Sequence, residues 1–405
     1  MGGTSSSAPA DYLQYHWDRD VKELFSSVKI SDPIGAYDFI IPIEYSNSDS
    51  GEKQIHSQIF VSKNGKIGIM VEESLEIAYS EENEDYDVIN VFKFGNNSFL
   101  MVLNSGIVVL VEYKDEKFEK KEFHVNDPWI CLCLDSESFI VANKKGNVYL
   151  VNVITAEVKL LWETNVEIND AVLFKRKDSK HIIILVSENK FILGYAEVNS
   201  MIVSNDDCPK PKNMKQFNDE NIIFSSESNG RTDILIGKIN DDLTVDEFKT
   251  VLISKDASIT MLSKGTALIY NSKEINSFSL VPGFPPKSLR TAFPSNREIS
   301  NILVIRSEKP RIFIVGCKDG NVFVCKHPTF SKTEQTRKNE SIEKYELTKY
   351  HREPIKFGCV CDEYSFITYD KENICILWES FPEWFNAPFI LNMFDEPFDE
   401  SYDLV

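Results

Sequence analysis

The clearest strand pattern in the sequence is YHREPIKFGCVCDEYSFITYDKENICILWE, residues Tyr350 to Glu379. It has a histidine at its second position, continues as short apolar or alternating runs separated by acidic turns, and ends on Leu-Trp-Glu. Short alternating runs bounded by polar turns are typical of β-strands. Similar runs recur along most of the chain, which identifies this stretch as one copy of a repeated unit.

The repeated unit is a β-hairpin, in which an apolar run, a small or polar turn and an alternating run follow one another. Gly and Asn suit such turns because they adopt positive φ angles easily. Successive turns lie 40 to 52 residues apart. Eight copies occur, with turns at Gly65, Gly106, Gly146, Asn189, Gly230, Lys273, Gly320 and Glu372.

A period of about 40 to 45 residues with four strands in each unit is typical of a β-propeller, whose blades are small sheets packed face to face in a ring. Between hairpins there is room for two more strands, as in residues 118–125 and 129–135. We therefore predict an all-β fold, a single β-propeller of seven or eight four-stranded blades. The count is seven if the weak hairpin at Gly230 forms no blade of its own.

The predicted propeller occupies residues 21–394, between a flexible leader at residues 1–20 and an acidic tail at residues 395–405. Ring closure requires an early strand and a late strand to share one blade. The early strand is either Val21 to Ile30 or Phe39 to Tyr45. A third segment, Pro388 to Phe394, competes with both as the edge strand of the last blade.

The overall charge limits the classes of partner. The 405 residues include 44 Lys and Arg against 63 Asp and Glu, which gives a formal net charge of −19. Such a field repels phosphate, so neither nucleic acid nor an anionic membrane surface is an expected partner. The apolar runs are too short to span a bilayer, and the first ten residues do not make a signal peptide. We expect a cytoplasmic or nuclear protein whose eight cysteines are thiols buried in the core.

The opening stretch resembles a WD40 repeat, in which a Gly-His pair stands near the start of the unit and a Trp-Asp pair near its end. Tyr350-His351 and Trp378-Glu379 match these two positions. The resemblance implies a structural hydrogen-bond network of His351, Thr368, Asp370 and Trp378. The other seven units lack both pairs, so they support only the broader propeller class.

A second, shorter stretch is similar to a known family. Residues Ser98 to Val153, which include LCLDSESFIVANKKGNVYLVNV, resemble part of the N-terminal propeller of the Rod family of kinetochore scaffold subunits. This resemblance implies a propeller segment of a larger scaffold that acts at kinetochores. Propeller folds carry many functions, so the fold itself does not decide this one.

No short catalytic or phosphate-binding motif is present, and the six histidines are scattered. Cys131 and Cys133 share one strand face, as do Cys359 and Cys361, but their spacing does not suit a metal site. We therefore predict no cofactor and no metal. The expected function is a non-catalytic scaffold that binds protein partners in a multi-subunit complex. The alternative is a propeller enzyme with a metal-dependent or hydrolytic site at the mouth of the channel.

Two segments are candidates for partner contacts. The insertion Val281 to Glu298 combines prolines, which limit the entropy lost on ordering, with aromatic and arginine side chains that supply contact. The segment after Ser380 is rich in aromatic residues and ends in acidic ones. It either docks on another protein or packs its apolar half on the last blade with its acidic end solvated, and the second arrangement is the expected one. The basic cluster Lys175 to Lys177, within FKRKDSKH, is predicted to be a solvated loop. The candidate contact residues are Phe284, Arg290, Phe293, Arg297, Trp384 and Phe385.

Overall fold

The computed structural model shows an eight-bladed β-propeller, and every regular element that it describes is a strand. Each blade is a four-stranded antiparallel sheet, so the higher of the two predicted counts is confirmed. None of the described residues forms a helix long and apolar enough to cross a membrane. The described residues are 25–30, 37–46, 54–70, 77–81, 86–115, 117–178, 180–188, 190–196, 201–205, 211–228, 230–254, 256–280, 286–294, 297–306, 311–328, 342–347, 351–360, 365–372 and 374–380.

The strands are numbered in chain order, and the first of them, β1, spans Phe25–Ile30. The next sixteen build blades 1 to 4: β2 Phe39–Ser46, β3 Gln54–Val61, β4 Ile67–Met70 and β5 Ile77–Glu81; β6 Val88–Lys93, β7 Ser98–Leu103, β8 Ile107–Lys114 and β9 Lys117–His124; β10 Pro128–Cys133, β11 Ser138–Asn143, β12 Asn147–Asn152 and β13 Val158–Glu163; β14 Asp170–Lys175, β15 His181–Val186, β16 Phe191–Tyr195 and β17 Met201–Asn205.

Blades 5 to 7 follow the same order, and blade 8 takes its fourth strand from the start of the chain. Their strands are β18 Pro211–Gln216, β19 Asn221–Ser228, β20 Arg231–Ile239 and β21 Val245–Ser254; β22 Ser258–Ser263, β23 Thr266–Tyr270, β24 Glu274–Ser279 and β25 Lys287–Ala292; β26 Ile299–Arg306, β27 Arg311–Cys317, β28 Val322–His327 and β29 Glu343–Glu346; β30 Ile355–Val360, β31 Ser365–Asp370 and β32 Cys375–Ser380.

The eight predicted hairpins are the second and third strands of the eight blades. The weak hairpin at Gly230 forms a blade of its own, because β19 and β20 pair from Asn221↔Lys238 to Ser228↔Arg231. At Gly320 the φ angle is +82°, and a Cβ there would lie 2.5 Å from the carbonyl oxygen of His351. Glycine is needed at this turn both for the left-handed backbone and for the close approach of the next blade's loop.

The N-terminal strand closes the ring. β1 pairs antiparallel with β32, from Phe25↔Ser380 to Ile30↔Cys375. The first strands of successive blades contact one another around the whole ring, including β2 with β30. The first of the two predicted early strands is therefore the one that closes the ring, whereas Phe39 begins the first strand of blade 1. The competing segment Pro388 to Phe394 lies outside the described residues.

The core lies between the blades, where each sheet packs on the next. The second strands are the most buried, and every side chain of β7, β11 and β31 is buried. Blades 4 and 5 illustrate the packing, since Phe191 and Phe224 meet edge to face with ring centroids 5.3 Å apart. Such aromatic contacts add about 1 kcal/mol to the free energy gained from burial alone.

The chain direction fixes which loops share a face. Loops that join first to second and third to fourth strands lie on one face, called here the lower face. Loops that join second to third strands, and those that connect successive blades, lie on the opposite, upper face. Because Phe25 pairs with Ser380 at the lower end of blade 8, the segments before β1 and after β32 both join the propeller on the lower face.

Candidate functional site

The WD40-like residues of blade 8 form a buried hydrogen-bond chain. Nδ1 of His351 lies 3.0 Å from Oδ2 of Asp370, and its Nε2 lies 2.7 Å from Oγ1 of Thr368. Nε1 of Trp378 donates to the same Thr368 oxygen over 2.8 Å. One arrangement of protons satisfies all three contacts: Trp378 donates to Thr368, Thr368 donates to Nε2, and Nδ1–H donates to Asp370.

These hydrogen bonds hold the loop that leads from blade 7 into blade 8 against the hairpin of blade 8. The second oxygen of Asp370 accepts hydrogen bonds from the backbone N–H groups of Glu372 and Ile374, at 3.0 and 2.9 Å. All four network side chains are 0 to 2% exposed. Burial lowers the pKa of His351 although Asp370 opposes the shift, so the imidazole is neutral at physiological pH. The polar groups of the network are satisfied by hydrogen bonds within the fold, so their role is structural.

Other blades carry reduced copies of this network, which sequence inspection missed. In blade 3, Oδ1 of Asn143 accepts from the backbone N–H of Asn147 over 2.8 Å, and its amide donates to the Asn126 carbonyl over 3.0 Å. The four-residue spacing is that of Asp370 and Ile374. The signal is a polar residue just before the hairpin turn. Polar side chains at this position bond to the turn or to the adjoining loop in five blades: Ser62, Asn104, Asn143, Ser187 and Asn271.

A second buried histidine joins blades 6 and 7. Nε2 of His327 lies 2.8 Å from Oγ of Ser277, and Nδ1 lies 2.9 Å from the carbonyl oxygen of Pro328. A carbonyl can only accept, so Nδ1 carries the proton and the Ser277 hydroxyl donates to Nε2. Burial, and the nearby positive charge of Arg311, lower the pKa of His327 to about 3. This histidine is neutral in the folded protein.

We expect His327 to make the fold sensitive to acid. Its folded pKa lies below the unfolded value of 6.5, so below pH 6.5 the unfolded chain binds the extra proton. This histidine therefore contributes full stability above pH 6.5, and the contribution falls by about 1.4 kcal/mol per pH unit down to pH 3. Urea unfolding between about pH 6.5 and pH 4.5 measures the slope. His327→Gln should show a slope smaller by roughly 1 kcal/mol per pH unit, and an unchanged slope would contradict the assignment.

The predicted binding insertion Val281 to Glu298 is not a single loop, because it contains the outer strand β25. Arg290 lies on this strand, where it is 72% exposed and bonds to Glu274 at 2.7 Å. Phe293 is only 7% exposed and packs edge to face on Phe323. The choice of Phe293 as an exposed contact residue therefore disagrees with the structure, since its ring fills the core between blades 6 and 7.

Arg297 lies on the upper face, in the loop that enters blade 7. Its guanidinium contacts Oδ2 of Asp319 at 2.5 Å and Oε1 of Glu346 at 3.2 Å, and its side chain is 26% exposed. These two pairs hold the loop against both the hairpin and the outer strand of blade 7. The remaining candidates Phe284, Trp384 and Phe385 lie outside the described residues and stay predictions.

The two arginines should differ in their effect on stability. Arg297→Ala removes two half-buried charge-assisted contacts, so we expect the free energy of unfolding to fall by about 1 to 2 kcal/mol. Arg290→Ala removes one exposed pair and should cost less than about 0.5 kcal/mol. Thermal and urea unfolding of both variants measure the difference. Equal losses would show that Arg297 does not anchor its loop.

A rigid turn on blade 3 presents an apolar side chain to solvent. Oδ1 of Asn152 accepts hydrogen bonds from the backbone N–H groups of Ile154 and Thr155, at 3.0 and 2.9 Å. Nζ of Lys121, from blade 2, donates to the carbonyl oxygens of Val153 and Ile154. The side chain of Ile154 is 64% exposed, and Leu160 on the following outer strand is 40% exposed. We call Ile154 and Leu160 the rim patch.

A cleft of about 610 Å³ opens on the lower face, where the first-to-second loops of blades 4, 5 and 6 meet. We call it the lower cleft. Part of the FKRKDSKH segment lines it, together with Lys264 from blade 6. Nζ of Lys264 lies 2.6 Å from Oδ1 of Asp219, and Arg176 pairs with Asp241. Lys175 and Lys177 are exposed, but Lys175 ends the strand β14 and Arg176 is half-buried, so the cluster is only in part the predicted solvated loop. The fold also brings it to a concave surface that the sequence did not indicate.

Other groups of possible catalytic interest are used within the fold. Oδ2 of Asp170 accepts from the backbone N–H of Met214 over 3.0 Å, which ties blade 4 to blade 5. Burial raises the pKa of this carboxyl. Among the described residues, no group of three or more His, Cys, Asp or Glu is placed to hold a metal ion. Cys131 is buried as predicted, but Cys133 is exposed, because it stands at the end of β10.

Comparison with known proteins is informative about the fold. No protein-family model matches the chain, and no curated protein matches it. A solved structure described as "Structure of Dos1 propeller" matches with a TM-score of 0.55 and 13% identity, over 80% of this chain and 89% of that one. This chain has a WD40-like β-propeller fold. At such low identity the likeness shows the fold alone, and the similarity to the Rod family remains a prediction from the sequence.

Proposed function

We propose that the chain is a non-catalytic protein-interaction module, and that the rim patch on blade 3 is a contact surface. The observation that carries this proposal is the exposure of Ile154 on a turn that five hydrogen bonds hold in place. No described neighbour covers its side chain. A rigid apolar side chain loses little entropy when a partner covers it, which favours binding.

The outer strand beside the turn adds to the surface. β13 is the last strand of its sheet, and its outer edge has no neighbouring strand among the described residues. Edge strands expose backbone N–H and C=O groups that an extended peptide can pair with. Leu160 stands on this strand, so a partner could combine backbone pairing with apolar contact. The charged β9 of blade 2 offers no comparable apolar strip.

The narrower proposal is a role within a multi-subunit intracellular assembly. The stretch that resembles the Rod family, Ser98 to Val153, ends at the turn that carries Ile154. A kinetochore scaffold would be one such assembly. Protein partners suit the net charge of −19 better than nucleic acid does.

The test is affinity capture from cell extract with the full chain and two charge variants. One variant carries Ile154→Asp and Leu160→Asp, and its control carries Ile253→Asp, which alters another exposed isoleucine on an outer strand, in blade 5. We expect a stoichiometric partner to be retained by the wild type and the control and lost from the blade 3 variant. A partner held equally by all three would remove the rim patch from the proposal. If the wild type itself retains no partner, the proposed interaction function is contradicted.

A further inference from the structure

The lower cleft contains polar groups that the described residues leave unsatisfied. The hydroxyl of Ser263 is buried in its wall and has no hydrogen-bond partner among them. The ammonium of Lys175 is exposed at its edge and makes no ion pair within the described ranges. A buried hydroxyl without a partner costs about 1 to 3 kcal/mol. Both groups point to a ligand that brings hydrogen-bond acceptors.

The charge of the lining favours an anionic ligand. Four cationic side chains line the cleft against one carboxylate, although the whole chain has a net charge of −19. Three of the cations make pairs at the cleft rim, with Asp219, Glu220 and Asp241. The two lysine pairs are exposed, with lysine side chains 67 and 71% exposed, so each contributes little and leaves N–H donors for a second carboxylate.

The chain itself contains a complementary segment. Residues 395–405, DEPFDESYDLV, carry five carboxylates in eleven residues. They follow β32, which ends on the lower face, the face on which the cleft opens. The chain therefore leaves β32 on the face on which the cleft opens, and the sequence of the segment carries the opposite charge.

The intervening chain is long enough to cross the ring. Eight sheets spaced about 10 Å apart form a circle of about 13 Å radius, so opposite blades lie about 25 Å apart at mid-blade. The residues between Ser380 and Asp395, fully extended, span about 45 Å. A path from blade 8 to blade 5 does not need full extension.

We propose that the acidic segment 395–405 docks in the lower cleft of its own chain. Its carboxylates contact Lys175, Lys177 and Lys264, and one acceptor reaches the hydroxyl of Ser263. The lower cleft contains no residue of the rim patch. The variant with Ile154→Asp and Leu160→Asp should therefore leave this docking unchanged.

The first test is zero-length carbodiimide cross-linking of the full chain, read by peptide mass spectrometry. We expect links from residues 395–405 to the three cleft lysines. The upper-face lysines Lys144 and Lys145 serve as the matched comparison. Raising the salt from about 50 mM to about 500 mM should reduce the cleft links several-fold because screening shortens the range of the charges. Cross-links from residues 395–405 to Lys144 and Lys145 that form in the same yield as those to the cleft lysines would overturn the proposal.

The second test uses a full-length chain in which the five carboxylates of the segment are changed to amides. A labelled peptide with the sequence DEPFDESYDLV should bind this chain and should bind the unaltered chain roughly tenfold more weakly, because the attached segment competes. Adding Lys175→Glu and Lys264→Glu should abolish binding, whereas Lys144→Glu with Lys145→Glu should not.

Three results would contradict docking within one chain. A scrambled peptide that binds as well as the native one would reduce the contact to general charge attraction. Equal peptide affinity for the altered and unaltered chains would show that the attached segment does not occupy the cleft. Cross-links that join heavy and light copies in an isotope mixture would assign the site to a second copy of the chain.

Discussion

Deleting residues 1–30 is expected to lower the free energy of unfolding by several kcal/mol, whereas deleting residues 1–24 leaves it nearly unchanged. The longer deletion removes β1 and exposes the edge of β32, where six residue pairs now form the last ladder of blade 8. Each lost backbone hydrogen bond costs about 1 kcal/mol net, and exposed apolar surface adds to the loss. Urea unfolding of the two truncated chains measures the difference.

The two deletions form a matched pair, because they differ only by the six residues of β1. A synthetic peptide that covers residues 21–33 should restore part of the lost stability of the longer deletion by pairing with β32 in trans. Equal unfolding midpoints for the two truncated chains would mean that β1 does not close the ring.

The second large effect is expected at Asp370. Asp370→Ala leaves the Nδ1–H of His351 and two backbone N–H groups without their acceptor, inside a blade where the side chain was 0% exposed. A buried group that loses its partner costs about 1 to 3 kcal/mol, so a total of about 3 to 5 kcal/mol is expected. Glu372→Ala, in the same turn but exposed, should change the stability by less than about 0.5 kcal/mol.

A double-mutant cycle separates the network from a simple loss of packing. Asp370→Ala and Thr368→Val each break one contact of His351, and the two changes together should cost less than the sum of the single changes. Strict additivity would show that the imidazole does not couple the two positions. A loss at Glu372→Ala equal to that at Asp370→Ala would place the effect in the turn rather than in the buried carboxylate.

The second and third strands could be predicted from the sequence because both their apolar pattern and their turn residues are local. Outer strands were harder to recognise. β25, KSLRTA, is exposed on alternate residues and contributes little to the core, so its sequence, with the prolines on either side, favours a loop. The burial of Phe293, just after this outer strand, depends on Phe323 in blade 7, which follows later in the chain, so the local sequence does not show it.

The candidate sites depend on contacts between distant residues, which is why the sequence did not show them. The lower cleft joins loops from three blades, and Lys175 and Lys264 lie almost ninety residues apart. Ile154 is fixed by Lys121 from the preceding blade. The blade 8 network could be predicted from the sequence because all four of its residues lie within one repeat that matches a known pattern.

A rigid ring closed by the first strand holds the rim patch and the lower cleft in place, and a cysteine pair tests this closure most directly. Ser26→Cys with Glu379→Cys places thiols at directly paired positions, whereas Ser26→Cys with Leu377→Cys shifts the register by two residues. Peptide mapping after oxidation should find a disulfide in the first variant and a higher unfolding midpoint. A disulfide formed equally well in the shifted variant, or in neither, would contradict closure of the ring by β1.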